Sequence, residues 1–447
     1  MWARPILLLL AADAILGLAS ALTFNAALMT LLENYGLSHY AATLSIGAIG
    51  TVASVFGLAC AWAIDRLSTL WLPLVAAVCA LALRAALTAL VTWGGDEPNG
   101  GAWAVAVLGL LMTVDGVLVA QPLVLLLDGQ IDRHGLSSGK KEGKPGPQAR
   151  VFAVRYSLNN IVMFGVSVGY GLLRTYAPSV REANAVMQWA SVGATLVLVA
   201  VLLLALELSP PVPLRPHHGD AEPKTALLAV LKDVSMWRFM AMCVLLLSTS
   251  SIFRHIEQTL PPVMQRMYDD RVPFAYVQAI NPFLIFFLAP LVQWAVADKG
   301  GYWVLAGGTA VSSLSLLALV FGGIGQRPRH GPATSVWDYV PYVIFMVIFS
   351  LGEALWSARF TAFALTAAPG DKKALYNAIA GIPSLVARPF AAWHSGWLVR
   401  YYCPSSEACA PVPLWGTIAG ISCIAPVALT VFNRWLDPVR QRDVFVT

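Results

Sequence analysis

The chain has 447 residues, 58% of them apolar and only 12% charged, with a mean hydropathy of +0.68. A water-facing surface needs about 25% charged residues, so the solvent of this protein is mostly lipid. The apolar content excludes a disordered chain, six Cys in 447 residues exclude a small disulfide-stapled fold, and the even spread of apolar runs excludes a single-span receptor.

In chain order, apolar runs cover Pro5 to Leu32, Tyr40 to Ile64, Thr69 to Trp93, Ala102 to Leu127, Val151 to Tyr176 and Asn184 to Leu206. A second set covers Met236 to Leu260, Val272 to Ala297, Tyr302 to Ile324, Tyr339 to Ala368, Ala374 to Val399 and Pro411 to Leu436. A helix rising about 1.5 Å per residue needs about 20 residues to cross about 30 Å of hydrocarbon, and each run reaches that length. A membrane β-barrel would instead show strands of about ten residues with alternating polarity. The expected fold class is all-α and polytopic, with twelve transmembrane helices in two six-helix bundles, residues 1–208 and 236–447, and a linker at 209–235. The first run follows Arg4 but continues through Leu22, Phe24, Ala27 and Leu31, past the core of about 7–15 residues of a secretory leader, so it reads as a span.

Basic residues in the loops set the expected orientation. The side shared by both termini holds Arg4, Arg66, Arg133, Lys140, Lys141, Lys144, Arg150, Arg215, Lys224, Lys232, Lys299, Lys372, Lys373, Arg434, Arg440 and Arg442. The opposite side holds only Arg174, Arg181, Arg266, Arg271, Arg327, Arg329 and Arg400. Sixteen against seven places both termini in the cytosol. The basic stretch Gly129 to Arg150 is then a solvated connector facing lipid head groups, with no nucleic-acid partner. The linker carries Pro210, Pro211, Pro213 and Pro216, and its part from Lys224 to Leu231 has the amphipathic pattern of a segment lying along the membrane surface. His217 and His218 in that linker lack the further ligands a metal site needs.

The turn after the second run ends in Asp65-Arg66, and the turn after the eighth reads Asp298-Lys299-Gly300-Gly301. An acid followed by a base thus recurs about one half-chain apart. This pattern resembles the motif between helices 2 and 3 of the major facilitator superfamily, although Ala61, Ser68 and Thr69 replace three of its positions. The resemblance implies that family's fold and a gating role for Asp65, Arg66, Asp298 and Lys299. The second half is more narrowly similar to the proton-coupled oligopeptide transporters. The eighth run carries Asn281-Pro282 and Pro290, the tenth carries Gly352-Glu353 through Ser357, and Tyr156 and Asn160 of the fifth match that family's helix 5 pattern. The first half departs from it, with Asp13 and Asn25 where an E-x-x-E-R motif belongs and Asp115 near where a Lys belongs.

Independently of any resemblance, the spans hold charges they do not need for insertion. An ionisable residue at a helix centre costs about 2.5–3.5 kcal/mol, so such residues face the bundle interior and find partners. Asp13, Arg84, Asp115, Arg155, Arg254, His255, Glu257, Glu353, Arg359, Arg388 and His394 all fall within runs. Arg254 and Glu257, three apart, have the spacing of a helical ion pair. Glu353 lies among Ile348, Phe349, Leu351, Ala354 and Leu355, with Ser357 one turn away. An acid in such surroundings is suited to bind and release a proton, and the resemblance gives the matching Glu a part in holding a substrate amino group; a lock onto Arg359 or Arg388 is the alternative. Arg155 and Asn159, four apart, are suited to an anionic or hydrogen-bonding substrate group. Cys403 and Cys409 share one loop and are a candidate disulfide.

No G-x-S-x-G, phosphate loop or spaced Cys and His ligand set appears, so neither an enzyme nor a cofactor or metal is expected. Two functions remain. One is a secondary transporter of a small polar solute working by alternating access and coupled to protons, with Glu353, Arg155 and Asp115 in a central cavity. Peptides or amino-acid-like solutes are its substrates by resemblance, and an organic cation drawn by Asp13 and Asp115 is the alternative. The other is a receptor or assembly subunit that transports nothing.

Overall fold

The computed structural model describes residues 4–67, 69–94, 99–134, 147–208, 234–268, 272–296, 301–323, 336–367, 389–404 and 408–436. Among the described residues every regular element is helical. Ten helical stretches are long and apolar enough to cross a membrane. They match ten of the twelve expected runs. The fifth run is a helix of 30 residues, Pro147–Tyr176, but Arg155, Asn159, Asn160 and Arg174 make it too polar to count by apolarity. The eleventh falls mostly outside the described residues, which show a helix at 389–402.

Contacts group the chain into two compact units. One holds residues 1–215, 273–286 and 392–397, and the other holds 216–272, 287–391 and 398–447. In both, large apolar side chains face outward, among them Val52, Val55, Trp71, Val75, Leu196 and Phe321. That inversion is what lipid as solvent requires, because apolar tails reward exposed Leu and Val as water does not.

The first unit is built from α1 (Arg4–Met29), α2 (His39–Leu67), α3 (Trp71–Trp93), α4 (Gly100–Thr113), α5 (Gln121–Arg133), α6 (Pro147–Tyr176) and α7 (Val180–Leu208). Helix α1 packs against α5, α6 and α7, burying Ile6, Leu9 and Leu16 in a core with Leu74, Leu123 and Leu198. It runs on as a π-helical segment, Thr30–Asn34. Gly36 then turns the chain at φ 64°, a left-handed conformation that residues with a side chain rarely adopt. Helices α4 and α5 form one rod through a second π segment, Val114–Ala120. Pro122 explains it: with no N–H to offer, it orphans the Leu118 carbonyl four residues back, and the ladder widens locally.

In the second unit the helix Val340–Ala367 lies on Gly301–Ser315. A Cβ on Gly352 would come within 2.5 Å of the Ser312 nitrogen and 2.9 Å of the Gly308 carbonyl, so this approach exists only because both residues are glycine. Trp356 Nε1 closes the crossing with a 3.2 Å bond to Ser312 Oγ. The last apolar run breaks at Cys423 into Pro411–Ser422 and Ile424–Val431. Pro426 has no N–H for the Ser422 carbonyl, and Ser313 Oγ supplies the missing donor from another helix at 2.8 Å. Ser248 Oγ in turn accepts the Ala425 N–H at 3.0 Å.

Cys403 and Cys409 are joined in a disulfide, their Cα atoms 4.0 Å apart. Beside them Arg266 donates to the carbonyls of Cys403 and, at 3.4 Å, Val399, which end the helix 389–402. Burial pulls the Arg266 guanidinium below its ordinary value, and the carbonyls offset part of that cost as a helix C-terminus does for any cation.

Candidate functional site

Helix α1 organises the polar interior of the first unit, because its Asp13 and Ser20, seven residues apart, fall on one face. Arg155 of α6 grips Asp13 with both arms of a fork, Nε to Oδ2 and Nη2 to Oδ1, each at 2.9 Å. Asn159, one turn along α6, reaches the same carboxylate through Nδ2 at a long 3.4 Å. Its side chain sits over Gly17, where a Cβ would stand 3.0 Å from Asn159 Oδ1. That Oδ1 is buried and has no hydrogen-bond donor. The Arg155 side chain keeps 28% of its surface exposed against 7% for Asp13. Asn160, about a third of a turn off that face, bonds its own helix at the Tyr156 carbonyl.

A second pair lies deeper. Asp115, on the π segment Val114–Ala120, takes Nη1 of Arg84 at 3.1 Å and Nη2 at 2.5 Å, and Ser20 Oγ at 2.8 Å. The Arg84 side chain is wholly buried. Asp115 therefore has a counter-charge from α3, and its three contacts tie α1, α3 and the π segment together. Burying both ions costs several kcal/mol each, which only a close, multiply bonded geometry offsets.

A third cluster closes the far end of α1. Arg174 of α6 holds Glu33 through two 3.0 Å bonds, Asn184 bridges to Glu33 and Asn34, and Tyr170 donates to Asn184 at 2.7 Å. The guanidinium also lies 5.0 Å from the centre of the Phe274 ring. Sequence reasoning counted Arg174 only as a loop charge and missed Glu33, Tyr170, Asn184 and Ser20. Their partners stand 141 residues apart in the case of Glu33 and Arg174, and no local pattern announces such a pair.

In the second unit, Arg254 and Glu257 form the i,i+3 pair that their spacing suggests, at 2.7 Å and largely exposed. Glu353 is buried beside the Gly352 crossing, and Ser357 is half-buried one turn further on. Helix Gly301–Ser315 meets Gly352 with Gly308 and Ser312. Asn281 lies half-buried on the helix Phe274–Ala295. Of the expected turn residues, Asp65 and Arg66 belong to α2, their side chains undescribed, while Asp298, Lys299 and Arg388 lie outside the described residues, as does the side chain of Arg359. The structure thus brings Asp13, Arg155 and Asn159 together, keeps Asp115 in a separate cluster of the same unit, and places Glu353 in the other unit.

No family model matches the sequence, and no curated protein does. Solved structures do match nearly end to end. An auto-inhibited peptide transporter of the POT family superposes with a TM-score of 0.70 at 16% identity, covering 97% of each chain. The POT family transporter PepTSo gives 0.71 at 17% identity, covering 97% of this chain and 98% of its own. The nucleoside transporter NupG gives 0.66 at 12% identity, covering 97% and 100%. At these identities the likeness is one of fold, and the fold is that of the major facilitators.

Proposed function

We propose that this protein is a multi-pass secondary transporter that moves a small polar solute by alternating access, driven by protons, with Glu353 as the coupling acid. The observation that carries the reading is the pattern of interior charge. Asp13, Arg84, Asp115 and Glu353 sit in apolar helices, and Arg155 in the more polar α6, of a fold shared with peptide and nucleoside transporters. A scaffold or receptor gains nothing from such groups, which each cost insertion energy. Glu353 is the candidate coupling acid because it is a buried carboxylate on an apolar helix of the second unit. A buried carboxylate can take up and release a proton as access changes sides.

Both termini are cytosolic in this reading, following the basic-residue count, and the turns at Asp65-Arg66 and Asp298-Lys299 lie on that side as gates. Residues 1–208 and 236–447 act as the two bundles of the transport cycle. The test is uptake by purified protein in liposomes under an inward proton gradient, offering a dipeptide, a nucleoside and choline. Accumulation of one of them that collapses with an uncoupler supports the reading. Flat traces for all three, with the protein shown folded and inserted, would overturn it in favour of the receptor or assembly role.

A further inference from the structure

The Asp13–Arg155 pair differs from the Arg84–Asp115 pair in three respects. Its arginine retains 28% exposure where Arg84 has none. It has no hydroxyl third partner of the kind Ser20 gives Asp115. And beside it lies an acceptor, Asn159 Oδ1, buried and without a donor. A guanidinium does not expose itself to hydrocarbon, so the open side of Arg155 faces water within the protein. The pair is therefore one that a solute can reach.

We infer that this pair is a binding site which opens only to a solute carrying both charges, a zwitterion. The inference rests on the transport reading and names the class of solute. The argument is charge balance. An anion that took Arg155 would leave the Asp13 carboxylate buried and uncompensated, the large cost of stranding half of a pair. A cation that took Asp13 would strip Arg155 of its partner and set two like charges side by side. A zwitterion inserts without stranding either: its anionic end replaces Asp13 on the Arg155 fork, and its ammonium bridges Asp13 and the waiting Asn159 Oδ1. Charge is conserved at every step, and a buried acceptor gains its donor. The site thereby rejects simple organic cations and simple carboxylates.

Three probes of nearly one shape decide the matter: dialanine, its N-acetylated form with only the negative charge, and its C-terminal amide with only the positive charge. Thermal stabilisation of the purified protein and uptake in liposomes are read for each. Wild type should respond to dialanine alone. Asp13→Asn should lose about tenfold in dialanine affinity, the scale of one charge-assisted bond, and gain a response to the N-acetyl form. Arg155→Gln should show the opposite exchange and gain a response to the amide. A merely structural pair would lower stability in both variants without trading one probe for another. Equal responses of wild type to all three probes, or to none, overturn the inference, and this comparison needs no variant to fold. Uptake of a singly charged probe at the dialanine rate overturns it while leaving transport upheld. The probe exchange without any uptake upholds the site and sinks transport.

Discussion

Arg84 and Asp115 show what one residue can ask of its neighbours. Neither has a stable place in an apolar helix alone, and each has one in the presence of the other. Replacing Arg84 by Met or Asp115 by Asn should therefore cost about 3–5 kcal/mol, since one partner is left buried and unpaired. The double variant Arg84→Met with Asp115→Leu should recover most of that loss. Thermal unfolding in a fixed detergent reads the difference, and equal damage from single and double variants would refute the pairing as the cause. Glu353 is tested through its proton. Glu353→Gln keeps the shape and removes titration, so proton-driven accumulation should vanish while exchange of solute down its own gradient persists. Retained uphill uptake would end the coupling role. These residues were visible as charges out of place in the sequence. Their partners were not, because Arg155 finds Asp13 across 142 positions and only the packing of α1 against α6 supplies that pairing.

At the scale of elements, proline and glycine decide more than the apolar pattern reveals. The runs were legible because length and hydropathy fix a crossing helix. The break at Cys423 and the crossing at Gly352 were not, because each depends on a side chain delivered from another helix, and the π segment before Pro122 is a local shift of the ladder that leaves the apolar run unbroken. The Ser422 carbonyl is the clearest test. Ser313→Ala should cost about 1 kcal/mol, the usual scale of a hydrogen bond between membrane helices, by leaving that carbonyl only the longer bonds from Thr249 Oγ1 at 3.4 Å and Ser248 Oγ at 3.5 Å. On a Pro426→Ala background, which restores an N–H within the helix, the same change should be close to silent. A double-mutant cycle on unfolding reports the coupling, and strict additivity would refute it. Tyr35, in the turn after the first π segment, is packed so closely that burial pushes its phenol up to about 12. It stays neutral across the physiological range and plays no part in any pH response there.

For the whole molecule, the expected orientation rests on the basic-residue count, and some of the seven arginines counted on the side away from the termini have other work. Arg174 holds Glu33, Arg181 donates to the Asn34 carbonyl, and Arg266 closes a helix end. At least three of the seven are thus engaged with the protein itself and not with the charge asymmetry that orients insertion. The expected outcome is that a cysteine introduced at Ser137 resists a membrane-impermeant thiol reagent in intact cells and reacts after permeabilisation. Labelling in intact cells would reverse the topology. The fold was readable at this scale because lipid tolerates few designs, while the zwitterion site was not, since it needs one residue from each of two distant helices. The Arg84–Asp115 bond also bears on biosynthesis. Helix α3 leaves the ribosome first, with a guanidinium at its centre and nothing yet to neutralise it. It cannot settle into the bilayer alone at low cost, and must wait beside the translocation channel until the π segment after α4 delivers the Asp115 carboxylate. The two helices then enter the membrane together as one hairpin, and the order of synthesis becomes part of how this protein is assembled.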